Sequence, residues 1–531
     1  MQEIARWDLN RLYLNEDILF PILELKEQYF VTKDVEVLSK LIQAIEKAEY
    51  YLYCQWVEES VSSDLTKLNV KVKELKSEVQ QIIKHSEVET SDNINIKFIK
   101  NELSAWEDMY IQLRDRIEIE HNNKQLSFGQ ANNIAMNSEN EKEKERLEVF
   151  ELLTSTLHKE KEIFATVLNQ IGRLRNAKSN EIEDREILTQ SFHANGISEA
   201  VLFQMWNATE ENLDKLVSAL NVYKKGKESI TWHELMTVKE SNEVIIPFSV
   251  AVQNVYDACK NIDEELAEFA RNAIESGWVD AEPRENKPPG GFCAPFFSEK
   301  ESRISMRYDG SIDSVRVLAH ELGHAWHFYN MSFEQSISFL DDNLPMSTAE
   351  SASIFFETVL LNYLIETTDS KDMKKSLLSW KIRNSFNYVM AIRASYQFEK
   401  TFYEKCKEGP LSADEIEKLS IMAQKAAYGN ALSEYQPFVW MKYIQFYIAD
   451  VPFYNYPYTF GYLVSFSLLE IAQESKGTFH SKYKEFLRET GKVPVEELMK
   501  KYFEIDIRNY EFWNKAFIQI SKDIDEYLQL M

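Results

Sequence analysis

The stretch Ser311–His327, SIDSVRVLAHELGHAWH, decides how the rest of the chain is interpreted. Ser311 follows an Asp-Gly turn and can cap a helix, because its hydroxyl can accept a bond from a free backbone N–H of the first turn. Apolar residues then recur at 3.6-residue spacing: Val315, Leu318, Ala319, Leu322 and Trp326. This spacing predicts an amphipathic helix that packs one face on a core.

The same helix carries the pattern His-Glu-x-x-His. His320 and His324 are four residues apart, so their imidazoles project from one face, one turn from each other. Two such imidazoles can converge on one Zn²⁺, and Glu321 then lies beside the metal as a candidate general base. The alternative is a helix whose histidines only face solvent.

The composition favours a mainly α protein. Only 14 of the 531 residues are glycine and 12 are proline, while 44% are hydrophobic. These proportions exclude collagenous and disordered chains and argue against turn-rich all-β folds. A chain of this length can bury a sizeable core without disulfides.

The net charge of −26 argues against nucleic acid or an anionic membrane as a partner. The four cysteines form no CxxC pair, which indicates neither a thiolate metal site nor a disulfide framework and favours a reducing, cytoplasmic compartment. The apolar run Ile18–Leu25 contains Glu24 and lacks the basic flank and length of a signal or spanning segment.

A composition shift near Gln190 suggests two parts: a helical N-terminal lobe over residues 1–190 and a second, catalytic part over 191–531. The polar stretches His85–Asn93 and His121–Asn140 are predicted to be loops. A single helix is predicted from about Pro247 to Ser276.

The chain's only Gly/Pro cluster, Lys287–Phe297, precedes a predicted strand, Ile304–Tyr308. The edge of this strand could pair with an extended peptide backbone. Gly290 and Gly291 would allow a close backbone approach there, although an ordinary turn explains them equally well.

A catalytic zinc needs a third protein ligand and an open position. Glu350 and Glu357 are the only charged residues in a predicted apolar helix from about Thr348 to Ile365, where an isolated carboxylate would be costly to bury. We favour Glu350 as the third ligand, with a capping box that begins at Ser347 as the alternative. The polar residues Glu334, Asp341 and Asp342 are further candidates.

Two more residues are expected next to the metal ligands. Glu357 could accept a hydrogen bond from a ligating histidine, or it could make a purely structural bond. His327 shares the face of His320 but would close the metal's open position, so we interpret it as a supporting or packing residue.

Several segments together resemble the M3 metallopeptidases, specifically the oligoendopeptidase F-like branch. They are HELGHAWH, TAESASIFFE, the N-terminal ARWDLNRLY, WVDAEPRENKPPGGFCAPF before the helix, and FYNYPYTFGYL near the C-terminus. They cover most of the second part of the chain and the extreme N-terminus.

The resemblance implies a mainly α, multi-helix, bowl-shaped zincin peptidase with a deep channel and a small β-sheet next to the HExxH helix. It implies one Zn²⁺ per chain, held by His320, His324 and Glu350, and short unstructured peptides as substrates. It also suggests that tyrosines near the C-terminus donate to the substrate, for which we select Tyr456 and Tyr462.

The chain departs from the expected pattern at Gln445, where this branch would carry a histidine. Gln445 can donate a hydrogen bond to substrate but cannot carry a proton. Three hypotheses follow: a zinc endopeptidase acting on oligopeptides, an exopeptidase using the same motif, and a catalytically impaired helical zinc-binding scaffold.

Overall fold

A computed structural model describes residues 5–13, 18–58, 63–86, 94–136, 143–182, 186–224, 227–237, 245–284, 287, 290–331, 344–449, 451–475 and 477–531. Helices dominate this part of the chain, which confirms the mainly α fold. No helix within these ranges combines the length and the hydropathy needed to cross a membrane.

The helices, in chain order, are α1 (Leu19–Thr32), α2 (Val35–Glu58), α3 (Ser63–Ser86), α4 (Ile94–Asp115), α5 (Phe128–Met136), α6 (Glu143–Glu181), α7 (Ile187–Asn195), α8 (Glu199–Glu211), α9 (Leu213–Leu220), α10 (Trp232–Met236), α11 (Phe248–Lys260), α12 (Glu264–Glu275), α13 (Ile312–Asn330), α14 (Met346–Thr367), α15 (Lys371–Ser385), α16 (Ile392–Cys406), α17 (Ala413–Ala427), α18 (Val439–Lys442), α19 (Tyr456–Glu474), α20 (Phe479–Glu489), α21 (Val495–Phe503) and α22 (Tyr510–Leu530). The strands are β1 (Glu118–His121), β2 (Lys124–Ser127), β3 (Val279–Asp280), β4 (Gly291–Phe296) and β5 (Glu301–Met306). A π-helical segment, Phe386–Ala391, joins α15 to α16, and 3₁₀ turns cover Asn221–Lys224 and Ile444–Phe446.

The chain packs into two compact units, each built from segments that are distant in sequence. The first unit comprises Met1–Thr90, Glu243–Leu377 and Gly461–Ala516, and the second comprises Ser91–Asn242, Leu378–Phe460 and Phe517–Met531. This division differs from the single boundary expected at residue 190. A composition shift reports local polarity, whereas tertiary packing between distant segments defines these units.

The first unit contains a three-stranded sheet in the order β3-β5-β4. β5 is the central strand, parallel to β3 and antiparallel to β4. The expectation of a free edge on Ile304–Tyr308 is therefore wrong, because both sides of this strand are paired. β3 and β4 are the two edge strands of this sheet as described, and Pro295 within β4 fits that position because proline lacks a donor for a second ladder.

The N-terminal segment lies against this sheet. Asp8 N–H donates to the Gly277 carbonyl (2.8 Å), and Ala281 N–H donates to the Ala5 carbonyl (2.9 Å). The Arg303 side chain, fully buried on β5, donates to the Asp8 carbonyl through Nε (3.2 Å). These bonds attach the first described residues to the sheet that precedes α13.

Helices α13 and α14 form the centre of the first unit. Gly323 lets them approach closely, because a Cβ at this position would lie 2.7 Å from Ser353 Cα and 2.8 Å from the Ala352 carbonyl oxygen. α14 is buried along most of its length, including Glu350 and Glu357. Both glutamates are therefore buried in an apolar helix, as the sequence predicted.

Two local predictions are wrong. Within the predicted loop His121–Asn140, β1 and β2 form a hairpin through Asn122 and Asn123, which both have positive φ, and α5 follows. Such a pair favours a two-residue turn and was the missed signal. The predicted helix Pro247–Ser276 is two helices, because Asp263 caps α12 by accepting from Glu265 N–H (2.8 Å).

Candidate metal centre

The metal-binding motif lies on α13, which begins as predicted. The Ser311 hydroxyl accepts a bond from Ser314 N–H (3.1 Å), and Asp309 in turn accepts from Ser311 N–H (2.9 Å). The helix then runs without interruption through His320 and His324. Its apolar face packs on the core, which leaves the two imidazoles on one side and fixes their spacing.

Glu350 reaches the same place from α14. The structure overturns the capping-box alternative, because the N-cap of α14 is Pro345 and Ser347 already lies inside the helix. The Glu350 side chain is mostly buried, and its Oε2 accepts a hydrogen bond from Ser353 Oγ (3.1 Å). The Glu350 carboxylate therefore reaches from within α14 toward α13.

Three donor atoms converge at this point. His320 Nε2 and His324 Nε2 are 3.2 Å apart, and Glu350 Oε2 lies 3.6 Å from the first and 3.9 Å from the second. A point equidistant from all three lies about 2.1 Å from each, which is the length of zinc–imidazole and zinc–carboxylate bonds. The three side chains thus fit a zinc-sized cation.

Glu357 and Arg316 support His320 from the side away from Glu350. Glu357 Oε1 accepts a bond from His320 Nδ1 and a second from Arg316 Nη1 (3.0 Å). Burial opposes ionisation of Glu357, but Arg316 and His320 outweigh it and lower the pKa of this carboxyl. Glu357 therefore stays anionic and holds the His320 ring by the nitrogen that does not face Glu350.

Glu321 lies beside the three donors and is 4% exposed. Its Oε2 has no hydrogen-bond partner among the described residues, an unusual state for a buried carboxylate. Burial is the main reason that its pKa rises to about 7; His320 opposes this rise, and Glu350 adds to it. A carboxylate with a free oxygen and such a pKa can accept and release a proton near neutrality.

β4 passes directly over Glu321. At Gly291 a Cβ would lie 2.6 Å from Glu321 Oε1 and 2.8 Å from Val317 Cγ1. Gly290 has φ +85°, and no atom of the described residues lies within 4 Å of where its Cβ would be. Cys293 follows on the same strand, and its thiol pKa is raised by burial and by the charge of Glu321, so it stays a protonated thiol.

His327 is turned away from the other two histidines. It is fully buried, and its Nε2 lies 2.7 Å from the Thr490 hydroxyl oxygen at the end of α20. That hydroxyl donates to the Leu487 carbonyl (2.7 Å), so His327 must be the donor in the first bond. Burial lowers the pKa of His327 to about 3, which keeps the ring neutral.

The two selected tyrosines have different surroundings. The Tyr456 hydroxyl, in the second unit, donates to the Ser191 carbonyl (3.1 Å) and accepts from Asn195 Nδ2 (3.2 Å). Tyr462, in the first unit, is 4% exposed and packs edge-on against Phe466. Gln445 lies half-buried in the short 3₁₀ turn of the second unit.

Three supporting residues were not found from the sequence: Arg316, Ser353 and Thr490. Arg316 carried a usable signal, since it lies one turn before His320 on the same helix face. Ser353 and Thr490 carried none, because each acts through packing that only the folded chain defines. Of the alternative third ligands, Glu334, Asp341 and Asp342 lie outside the described residues.

Comparison with known proteins places the chain in a family. Residues 136–518 match the sequence profile of peptidase family M3. An oligoendopeptidase F homolog from Borreliella burgdorferi is 22% identical over 557 residues and covers 94% of each chain. Oligopeptidase PepF from Bacillus subtilis is 23% identical over 510 residues, which are 93% of this chain and 72% of that one.

The fold also matches a solved structure. A protein from Chlamydophila abortus superimposes with a TM-score of 0.80 at 18% identity, covering 100% of this chain and 99% of that chain. Membership of a metallopeptidase family implies a metal cofactor, and the donor set formed by His320, His324 and Glu350 is suited to one. The chain therefore belongs to peptidase family M3, in its oligoendopeptidase F-like branch, and is a metalloendopeptidase.

Proposed function

We propose that this chain is a zinc-dependent endopeptidase that hydrolyses internal bonds of short, unstructured oligopeptides. One Zn²⁺ per chain would be held by His320, His324 and Glu350, with Glu321 as general base and acid. The main support for this proposal is the arrangement of the side chains. The donor atoms of His320, His324 and Glu350 are 3.2 to 3.9 Å apart. Next to them lies the buried Glu321 Oε2, which has no hydrogen-bond partner among the described residues. The names of the relatives, oligoendopeptidase and oligopeptidase, support the substrate class.

Zinc supplies Lewis-acid chemistry when bound, polarising a carbonyl and making water a competent nucleophile at neutral pH. Glu321 performs the proton transfers. Its free Oε2 accepts the proton from the attacking water, and the same oxygen then donates it to the leaving amine. Burial raises the pKa of Glu321, which favours holding the proton between the two transfers.

Glu357 fixes the form of His320 that can bind a cation. Because Nδ1–H of His320 donates to Glu357, the lone pair of the ring is on Nε2, the atom that faces Glu350. Arg316 keeps Glu357 anionic and in place. Glu357 and Arg316 therefore orient the His320 ring and raise the basicity of its Nε2.

Tyr462 is the donor that we propose for the oxyanion of the tetrahedral intermediate. It directly follows Gly461, where an added Cβ would lie 3.0 Å from the Glu350 carbonyl carbon. Tyr456 keeps its hydroxyl bonded to Ser191 and Asn195, so we give it the role of holding the start of α19.

β4 is the strand that we propose to pair with the substrate backbone, in place of β5. It is an edge strand of the described sheet, and it runs past Glu321 at Gly291. An extended peptide added to this edge would lie next to the general base. Gly290 would allow close approach of the peptide, and Gln445 remains a candidate donor to substrate.

The test uses an internally quenched peptide that is blocked at both ends. Wild type should cleave it, and Glu321→Gln should lower the rate by about 10³-fold. Glu366→Gln, an exposed glutamate at the end of α14, serves as the matched control and should leave the rate unchanged. Metal analysis should give one zinc per chain, lost in His324→Ala.

Other outcomes would point elsewhere. Cleavage of free-ended peptides alone would indicate an exopeptidase. Stoichiometric zinc without any hydrolysis would indicate an impaired scaffold, the hypothesis that Gln445 motivates. Hydrolysis that persists in Glu321→Gln would contradict the proposed site.

A further inference from the structure

Helix α19 packs unusually closely on α14 at the proposed metal ligand. A Cβ on Gly461 would lie 3.0 Å from the Glu350 carbonyl carbon, 3.1 Å from Ser351 N and 3.2 Å from the Glu350 carbonyl oxygen. All three are backbone atoms, so no side-chain rotation can relieve the contact. A side chain at residue 461 would therefore require the two helix backbones to move apart.

The contact continues along the same pair of helices. One turn after Gly461, the Ser465 hydroxyl oxygen lies 2.9 Å from Thr358 Oγ1 of α14, and both side chains are buried. On another side of α14, Gly323 brings α13 against Ala352 and Ser353. The backbone that carries Glu350 is therefore held by close contacts from two helices.

The metal geometry leaves little tolerance for movement of that backbone. The three donor atoms are already spaced so that a cation equidistant from them sits at bonding distance. A functional zinc site tolerates deviations of only about 0.2 Å in its ligand distances. An added methyl group at residue 461 would force α14 and α19 apart by a few tenths of an ångström.

We propose that Gly461 is a positioning residue for the metal centre: its missing side chain sets the distance of Glu350 from His320 and His324. This inference rests on the proposed ligand set. Gly461 touches neither metal nor substrate and acts only through the α14 backbone. Its substitution should therefore weaken zinc binding beyond any general loss of stability.

Two other helical glycines provide matched controls. Gly172 in α6 is also crowded, since a Cβ there would lie 2.7 Å from Cε1 of the Phe402 side chain, but it belongs to the second unit, which contains none of the three ligands. Gly129 in α5 has no atom of the described residues within 4 Å of an added Cβ. Alanine at all three positions gains the same helix propensity, so the comparison isolates the steric effect and its location.

The experiment measures the zinc dissociation constant of each full-length variant by competition with a chelating indicator, together with the thermal midpoint of the zinc-free protein. Gly461→Ala should raise the dissociation constant at least tenfold. Gly172→Ala should lower the midpoint and leave the dissociation constant unchanged. Gly129→Ala should also leave the dissociation constant unchanged, and it should raise the midpoint slightly because alanine gains helix propensity there without a clash. A Gly461→Ala constant within twofold of wild type, or an equal rise in Gly172→Ala, would overturn the positioning role.

A milder variant covers the case in which Gly461→Ala does not fold. Ser465→Ala removes a hydroxyl contact of the same helix pair without adding bulk, and it should raise the zinc dissociation constant two- to fivefold. An unchanged constant in Ser465→Ala would then overturn the inference. A wild-type chain that binds no zinc would overturn the proposed function as well, whereas normal wild-type binding with an unaffected Gly461→Ala overturns the positioning role alone.

Discussion

Gly291 lies so close to Glu321 that a methyl group at residue 291 would meet the glutamate Oε1 at 2.6 Å. The position of β4 and the position of Glu321, the proposed general base, therefore depend on each other. The absence of a side chain on β4 leaves the space that the carboxylate occupies. A glycine in a strand often marks such a close approach.

Replacing this glycine should impair proton transfer more than metal binding. In Gly291→Ala the Glu321 carboxylate must move, while His320, His324 and Glu350 keep their positions. We expect kcat to fall about 10- to 100-fold, since misplacement by about 1 Å costs a reaction that much. Steady-state kinetics and zinc analysis test this, and Gly129→Ala is the control; lost zinc with normal kcat per bound zinc would contradict it.

Glu357 should contribute to zinc affinity through His320. In Glu357→Gln the amide can still accept a bond but no longer supplies the charge that Arg316 and His320 share. We expect the zinc dissociation constant to rise about 10- to 100-fold. Asp313→Asn is the control, because Asp313 is exposed and binds the same Arg316 at 3.0 Å. An equal effect of both substitutions would assign the change to Arg316 instead.

The sequence predicted the parts of this site that rest on local periodicity. His320, Glu321 and His324 follow from one helix pattern, and Glu350 follows from the cost of burying a charge in an apolar helix. The edge strand could not be predicted, because strand order depends on pairing with β3, which contains only Val279 and Asp280. The close contacts of Gly291, Gly323 and Gly461 were hidden for the same reason: each depends on a neighbour that is distant in sequence.

His327 should matter for stability and not for the metal. In Thr490→Val the His327 Nε2–H loses its acceptor while the ring stays buried. A buried donor without a partner costs about 1 to 3 kcal/mol. We expect a lower thermal midpoint in Thr490→Val and an unchanged zinc dissociation constant. A large loss of zinc affinity would instead indicate that His327 takes part in metal binding.

Glu46 should make the stability of the first unit depend on pH. This α2 residue is 7% exposed; burial, reinforced by Glu49, outweighs the opposing charge of Lys76 and raises its pKa to about 8. Between the ordinary value near 4.5 and about 8, the folded chain keeps a proton that the unfolded chain releases. Stability therefore falls as the pH rises through this window, by up to about 1.4 kcal/mol per pH unit.

Glu46→Gln removes this difference in proton binding between the folded and the unfolded chain, since glutamine stays neutral at every pH. The thermal midpoints of mutant and wild type should nearly coincide at pH 5, where the buried glutamic acid is also neutral. At pH 8 the mutant should melt at the higher temperature, because wild type then either buries a charge or binds a proton from dilute solution. Glu36→Gln, on the same helix but exposed, should show no such divergence. A constant difference between Glu46→Gln and wild type from pH 5 to 8 would mean that Glu46 ionises freely in the folded protein.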